Sequence, residues 1–219
     1  MSKFYDAIKW GSVLANQRLS TNFYSKVDTF LAAYKRESAD QKKKGNVDER
    51  EADAISSTLL TMLMKWAVLE GNVFVWAFAL LMWHLMAWSI NIDIVALHAI
   101  KRGISDSITF KYDETKVDKT GEFVCEKNVY SNPHDPFVCV FTALGCYLSI
   151  NSEMLEGTER LFIARGTKYT SASQNFARQV AAMGVRYADQ IKSFLRLSHF
   201  NIHGVRKGSG THASSATHQ

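Results

Sequence analysis

Apolar residues recur along this chain at two spacings, and the expected elements follow from where each holds. Val13, Leu14, Leu19, Phe23, Val27, Phe30, Leu31 and Tyr34 stand mainly three to five apart, one stripe of a helix over 12–36. Ser38 to Asp53 breaks the pattern. It is dense in charge, with Lys42-Lys43-Lys44-Gly45-Asn46 at its centre, and reads as a solvated linker or one with frayed helical ends. The predicted organisation is a first segment over 1–40, a charged linker over 41–54 and a larger body over 55–219. Helical spacing resumes from Ile55 to Leu69, and Glu70-Gly71-Asn72 is a helix stop. Further on, Asp106 to Tyr112 alternates like a strand, Asp118-Lys119-Thr120-Gly121 reads as a turn, and Glu122 to Val129 resumes as a second strand. Asn132 to Pro136 is a loop. Phe141–Ile150, Ser171–Met183 and Tyr187–Leu197 are expected helices, and a Gly/Ser-rich tail follows His203. The fold class is therefore mainly α with a small β-sheet, α+β.

One stretch supports two readings. Val73 to Ile92 carries no Asp, Glu, Lys or Arg for 20 residues, long enough for a membrane span. The flanking Lys65, Lys101 and Arg102 define no inside, and the rest of the chain is polar enough for a packed body in water. A buried central helix explains the run and is favoured over a small membrane protein spanning 73–92.

Composition narrows the class. With 47% apolar residues and only two prolines among 219, the chain can bury a full core. Three cysteines, Cys125, Cys139 and Cys146, form no CxxC pair, and Met-Ser-Lys-Phe-Tyr-Asp opens no signal sequence. Buried thiols inside a cell are expected, not secretion, disulfides or a zinc site. Net charge is +5, unevenly spread: from Arg160 to Gln219 nine Lys/Arg face one acid, Asp189, a local net of +8. A basic C-terminal third suits phosphate contact as well as a solvated face.

Candidate chemistry lies near the C-terminus, in His203-Gly204-Val205-Arg206-Lys207-Gly208-Ser209-Gly210-Thr211. Upstream come the Lys116 and Lys119 hairpin and, earlier, the apolar helix Trp83 to Asn91. Five collinear stretches, Trp83–Asn91, Tyr112–Gly121 (YDETKVDKTG), Asn128–Pro136 (NVYSNPHDP), Ala143–Leu148 (ALGCYL) and His203–Thr211 (HGVRKGSGT), resemble the tyrosine recombinases of Crypton-type mobile elements and related protist proteins. The resemblance covers about residues 55 to 219. It implies a partial catalytic domain there and the end of a helical, SAM-like core-binding domain over 1–40.

In that family a tyrosine attacks a DNA phosphate to form a phosphotyrosyl link. Two arginines clamp the oxygens on which charge develops, and a histidine and a hairpin lysine move protons. The resemblance gives His203 and Arg206 the histidine and second-arginine roles. It makes Lys116 the hairpin lysine, with Lys119 as the alternative, and adds Lys119, Lys168, Arg178 and Lys207 as DNA contacts. It implies no metal and no small-molecule cofactor, double-stranded DNA as partner, self-association on DNA, and a nuclear location in a eukaryote. Two departures stand out. Trp88 occupies the position of the first arginine, and an indole offers a phosphate no charged fork. No tyrosine follows Tyr187, so a nucleophile at the family's position is missing. The expectation is a DNA-binding protein of recombination or integration type that is catalytically inactive. The alternative is a fragment of an active breaking-and-rejoining enzyme completed beyond Gln219.

Overall fold

The computed structural model describes residues 20–43, 52–111, 126–156, 158–163 and 171–216. Contacts divide the chain into two units, 1–50 and 51–219. In the first, helix α1 spans Thr21–Lys43. Ser20 starts it, its Oγ accepting from the Phe23 amide at 3.2 Å. The helix continues through Ser38–Lys43, the start of the stretch read as a solvated linker or one with frayed helical ends. No glycine or proline falls there before Gly45, and Ala39, Gln41, Lys42 and Lys43 all favour helix. Of the expected stripe, residues 13–19 lie outside the described residues, Phe23 and Val27 are half-buried, and Phe30 is exposed.

The second unit is built around one helix. Helix α2 (Ser57–Leu69) is capped by Ser56, whose Oγ accepts from the Leu59 amide. It ends as the Glu70-Gly71-Asn72 signal predicts. Gly71 adopts φ +65°, its amide donates to Val68 O, and the Asn72 amide donates to Ala67 O, so two terminal carbonyls are satisfied. Asn72 then caps helix α3 (Val73–His84) by accepting from the Val75 amide. Every residue of α3 from Phe74 to Trp83 is buried. Such a helix has no polar face to turn to water and must be surrounded by protein. Phe78 stacks on Phe176 at 4.5 Å and meets Phe162 at 4.9 Å, within an aromatic cluster that includes Phe74 and Tyr147.

The uncharged run is thus not one span. Helix α3 is 12 residues long, about 18 Å, against a hydrocarbon layer of about 30 Å. Among the described residues no helix is long and apolar enough to cross a membrane. The chain leaves α3 through Met86 at φ +49°, with the Met86 amide donating to Trp83 O and the Ala87 amide to Met82 O. This is the same helix stop that Gly71 makes, formed by a residue with a Cβ, which costs about 1–2 kcal/mol of backbone strain. Met86, within the run expected as a buried helix, is accordingly an exposed turn residue; Met64 and Met82 are core, and Met62 is half-buried. His84, at the end of α3 in the same run, is exposed, with Nε2 3.3 Å from Val138 O.

After the short helix α4 (Ser89–Asp93), three strands form an antiparallel sheet in the order β1 (Ile100–Arg102), β2 (Ser107–Phe110), β3 (Lys127–Tyr130). The β2–β3 register runs from Ser107 opposite Tyr130 to Phe110 opposite Lys127, the predicted pairing with shorter strands. Thr109 Oγ1 donates to Asn128 Oδ1 across it at 2.6 Å. The third strand, β1, was not expected. Its three residues are too few to show alternation, and it forms because the Gly103 amide returns to Ser107 O.

Helix α5 (Val140–Ile150) follows the Asn132–Pro136 loop as expected, with Cys139 buried before it and Cys146 half-buried within it. A single turn, α6 (Ser152–Leu155), comes next. Helix α7 (Ala172–Arg186) outlasts the predicted Ser171–Met183. The expected helix over 187–197 is broken into α8 (Ala188–Ile191) and a tight turn at Leu197–His199. Tyr187 stands between α7 and α8, where its ring stacks on Trp66 at 4.1 Å and its hydroxyl donates to Glu70.

The predicted tail is the largest correction. Ile202–Ala216 is helix α9, started by Asn201, whose Oδ1 accepts from the His203 amide at 2.9 Å. Its glycines are packing positions. A Cβ on Gly204 would meet Asp53 O, and one on Gly208 would collide with Ile55 O and the Trp83 ring. The absence of side chains lets the helix backbone lie directly on residues 53–55, an approach that glycine permits and that composition alone reads as a tail.

Candidate functional site

Two supports fix the position of Trp88. On its N-terminal side, Lys127 Nζ from β3 donates to Leu85 O at 3.0 Å, placing a cation on the carbonyl of the residue that ends α3. On its C-terminal side, α4 is tied to the start of α7. The buried Asp93 carboxylate accepts from the Ala172 amide at 2.8 Å, at the positive end of a 15-residue helix, and Ser173 Oγ donates to Ser89 Oγ at 2.8 Å. Trp88 itself starts α4 in extended conformation and is half-buried.

Helix α9 brings His203 and Arg206 to the same place. They stand three apart, so their side chains share a face. The Arg206 guanidinium lies over the Trp88 ring, 4.3 Å from its centroid. The His203 ring meets the same indole edge to face at 5.6 Å and 74°. Residues 115 or more apart in sequence thus form one cation–aromatic–imidazole cluster. Arg206 Nε is buried and has no hydrogen-bond partner among the described residues, and no ion pair with Arg206 is found among them either. By contrast Arg186 pairs with Glu70 and Lys192 with Asp189, so the basic C-terminal third is partly neutralised within the fold.

The remaining expected site residues divide into two groups. Arg178 is exposed on α7, and Lys207 is exposed on α9, one residue beyond Arg206. Lys116, Lys119 and Lys168 lie outside the described residues. The cluster can hold an anion through a guanidinium whose flat face is already covered, with an exposed imidazole beside it. It offers a single guanidinium where a two-arginine clamp has two. Sequence reasoning identified Trp88 as a replaced arginine and missed that its ring carries Arg206. The contact joins α4 to α9, and no local spacing signals it. No protein-family model matches the chain, and no curated protein matches it.

Proposed function

We propose that this protein binds duplex DNA with a surface of the tyrosine recombinase type and does not cut it. The observation that carries the reading is the meeting of Trp88, His203 and Arg206 in one cluster. The family resemblance requires the first-arginine position and the H-x-x-R segment to face the same phosphate, and nothing in sequence order obliges positions 88 and 206 to touch. A small antiparallel sheet lies between them in sequence, where the resemblance puts the lysine hairpin. The Arg206 Nε, buried and without an acceptor among the described residues, supports an anionic partner, because a buried donor without an acceptor costs about 1–3 kcal/mol unless a ligand satisfies it. The proposed lack of cutting rests on Trp88. An indole cannot replace a charged donor in the transition state, where losing one such donor costs roughly a hundred- to thousand-fold in rate.

Fluorescence anisotropy with a labelled duplex tests this. Binding is expected at low salt and should weaken steeply as salt rises, because displaced counterions drive association. Arg206→Ala should lose about 1.5–3 kcal/mol, roughly 10- to 150-fold in Kd. Salt-independent binding, or none at low salt, overturns the proposal. A covalent protein–DNA band on a denaturing gel after incubation with a nicked suicide substrate would overturn the non-cutting part alone.

A further inference from the structure

Arg206 Nε has no hydrogen-bond partner among the described residues, and an aromatic ring covers its guanidinium. The geometry points to Trp88 as a positioning residue: its indole face holds the Arg206 guanidinium in one orientation, presenting the donor edge to a phosphodiester oxygen. This inference rests on the DNA-binding reading above and adds to it the residue that orients the anion-binding group.

Three observations carry it. First, the guanidinium lies over the ring at 4.3 Å, close enough for the attraction between a cation and the indole quadrupole. A stacked guanidinium gives up rotation before any ligand arrives, so less freedom is lost on binding. Second, the Arg206 side chain donates to no protein group among the described residues, and its Nε is buried. The indole is its principal described partner, and a π face consumes none of its in-plane donors. Third, both partners sit on braced backbone. Trp88 is held between the Lys127-closed turn and the Asp93 contact to α7, and Arg206 lies on a helix seated directly on residues 53–55 through Gly204 and Gly208. The turn before Trp88 even accepts a left-handed Met86 at φ +49°. Precise placement of this kind is what orients a single donor group. A second arginine at position 88 would repel Arg206, whereas the aromatic ring attracts it.

The test is a set of full-length variants titrated with one labelled duplex across salt concentrations. Trp88→Leu is expected to weaken binding by about 2- to 30-fold, the range a cation–π contact spans. It should leave the slope of affinity against salt unchanged, since no charge is lost. Arg206→Ala should weaken binding and reduce that slope by about one. Trp88→Phe, which keeps an aromatic face, should recover most of the loss. If Trp88→Leu binds as well as the parent or more tightly while Arg206→Ala is impaired, the positioning role is wrong and only the DNA reading stands. If Arg206→Ala changes nothing, the DNA reading of this site itself fails. Should Trp88→Leu not fold, as judged by circular dichroism, NMR of the parent protein decides. The Arg206 Nε–H resonance should be ring-shifted upfield and stay shifted when DNA is added. Its return to an unperturbed position on DNA binding would mean that the ring sequesters Arg206, and would overturn the inference.

Discussion

Gly204, Gly208 and Gly210 stand on one helix and have different meanings, which composition cannot separate. Gly208 faces backbone: a Cβ there would collide with Ile55 O and the Trp83 ring. A carbonyl fixed in an extended segment cannot yield as a long side chain can, so Gly208→Ala is expected to cost about 1–3 kcal/mol or more, the range for overpacking. Gly210 faces open space within 4 Å, and there an added methyl restricts only the unfolded chain. Gly210→Ala should raise stability by about 0.5–1 kcal/mol, the usual gain for alanine over glycine inside a helix. Thermal unfolding of the two variants should therefore move in opposite directions. A shift of the same sign in both would mean that the contact of α9 with residues 53–55 does not hold the helix in place.

Among elements, the ends of helices were legible where a residue type announces them and illegible where tertiary contacts decide. Gly71 closes α2 as its chemistry demands, and the β2–β3 pairing follows from alternation in Ser107–Phe110. The end of α3 carries no such signal, because a methionine takes the left-handed position, so an uncharged run of 20 residues looked continuous. Helix α9 was hidden in the opposite way: glycine and serine argue for a tail until the surface they pack against is known. The candidate site was legible as residues, in His203, Arg206 and the altered position 88, but its geometry was not, since the stack joins two elements remote in sequence. The junction of α2 and α7 shows how such contacts act. Burial pushes the Glu70 carboxyl up, but hydrogen bonds from Tyr187 and Arg186, and the charge of Arg186, outweigh it and hold the group below its ordinary value. A carboxylate depressed in the folded state contributes stability above its unfolded pKa, about 4.3, and loses it as pH falls through the lower folded value. Glu70→Gln should therefore lower the Tm modestly at neutral pH, since the Arg186 side chain is 58% exposed and the pair is screened. The difference from the parent should close in acid. A gap that persists at low pH would assign the effect to packing and not to charge.

For the whole molecule, the core decides what can stand alone. Every described member of the main hydrophobic cluster lies between Ile55 and Val205, and the helices that enclose α3 all belong to the second unit. Fully burying a side chain such as Phe78, Phe176 or Leu80 is worth about 1.5–3 kcal/mol, and all three belong to the second unit. The clamp on the C-terminal helix is also internal: the Ile55 amide donates to Gly204 O at 3.0 Å, and the Asp53 amide to His199 O at 3.3 Å, with His199 Nδ1 3.2 Å from Asp53 Oδ1. A chain starting at Glu51 keeps those partners, whereas one starting at Leu59 loses the segment on which Gly204 and Gly208 rest. The first is expected to unfold in one cooperative transition with a Tm within about 2 °C of the second unit in the full chain, a change worth no more than about 1 kcal/mol at this size. The second should lose near-ultraviolet circular dichroism from the tryptophans around α3, because Trp83 packs against the glycine face of α9 and Trp88 against Arg206. If removing residues 1–50 instead abolishes cooperative unfolding, the second unit does not contain its own core. If starting at Leu59 changes nothing, the extended segment at 53–55 is not what seats the helix that carries His203 and Arg206.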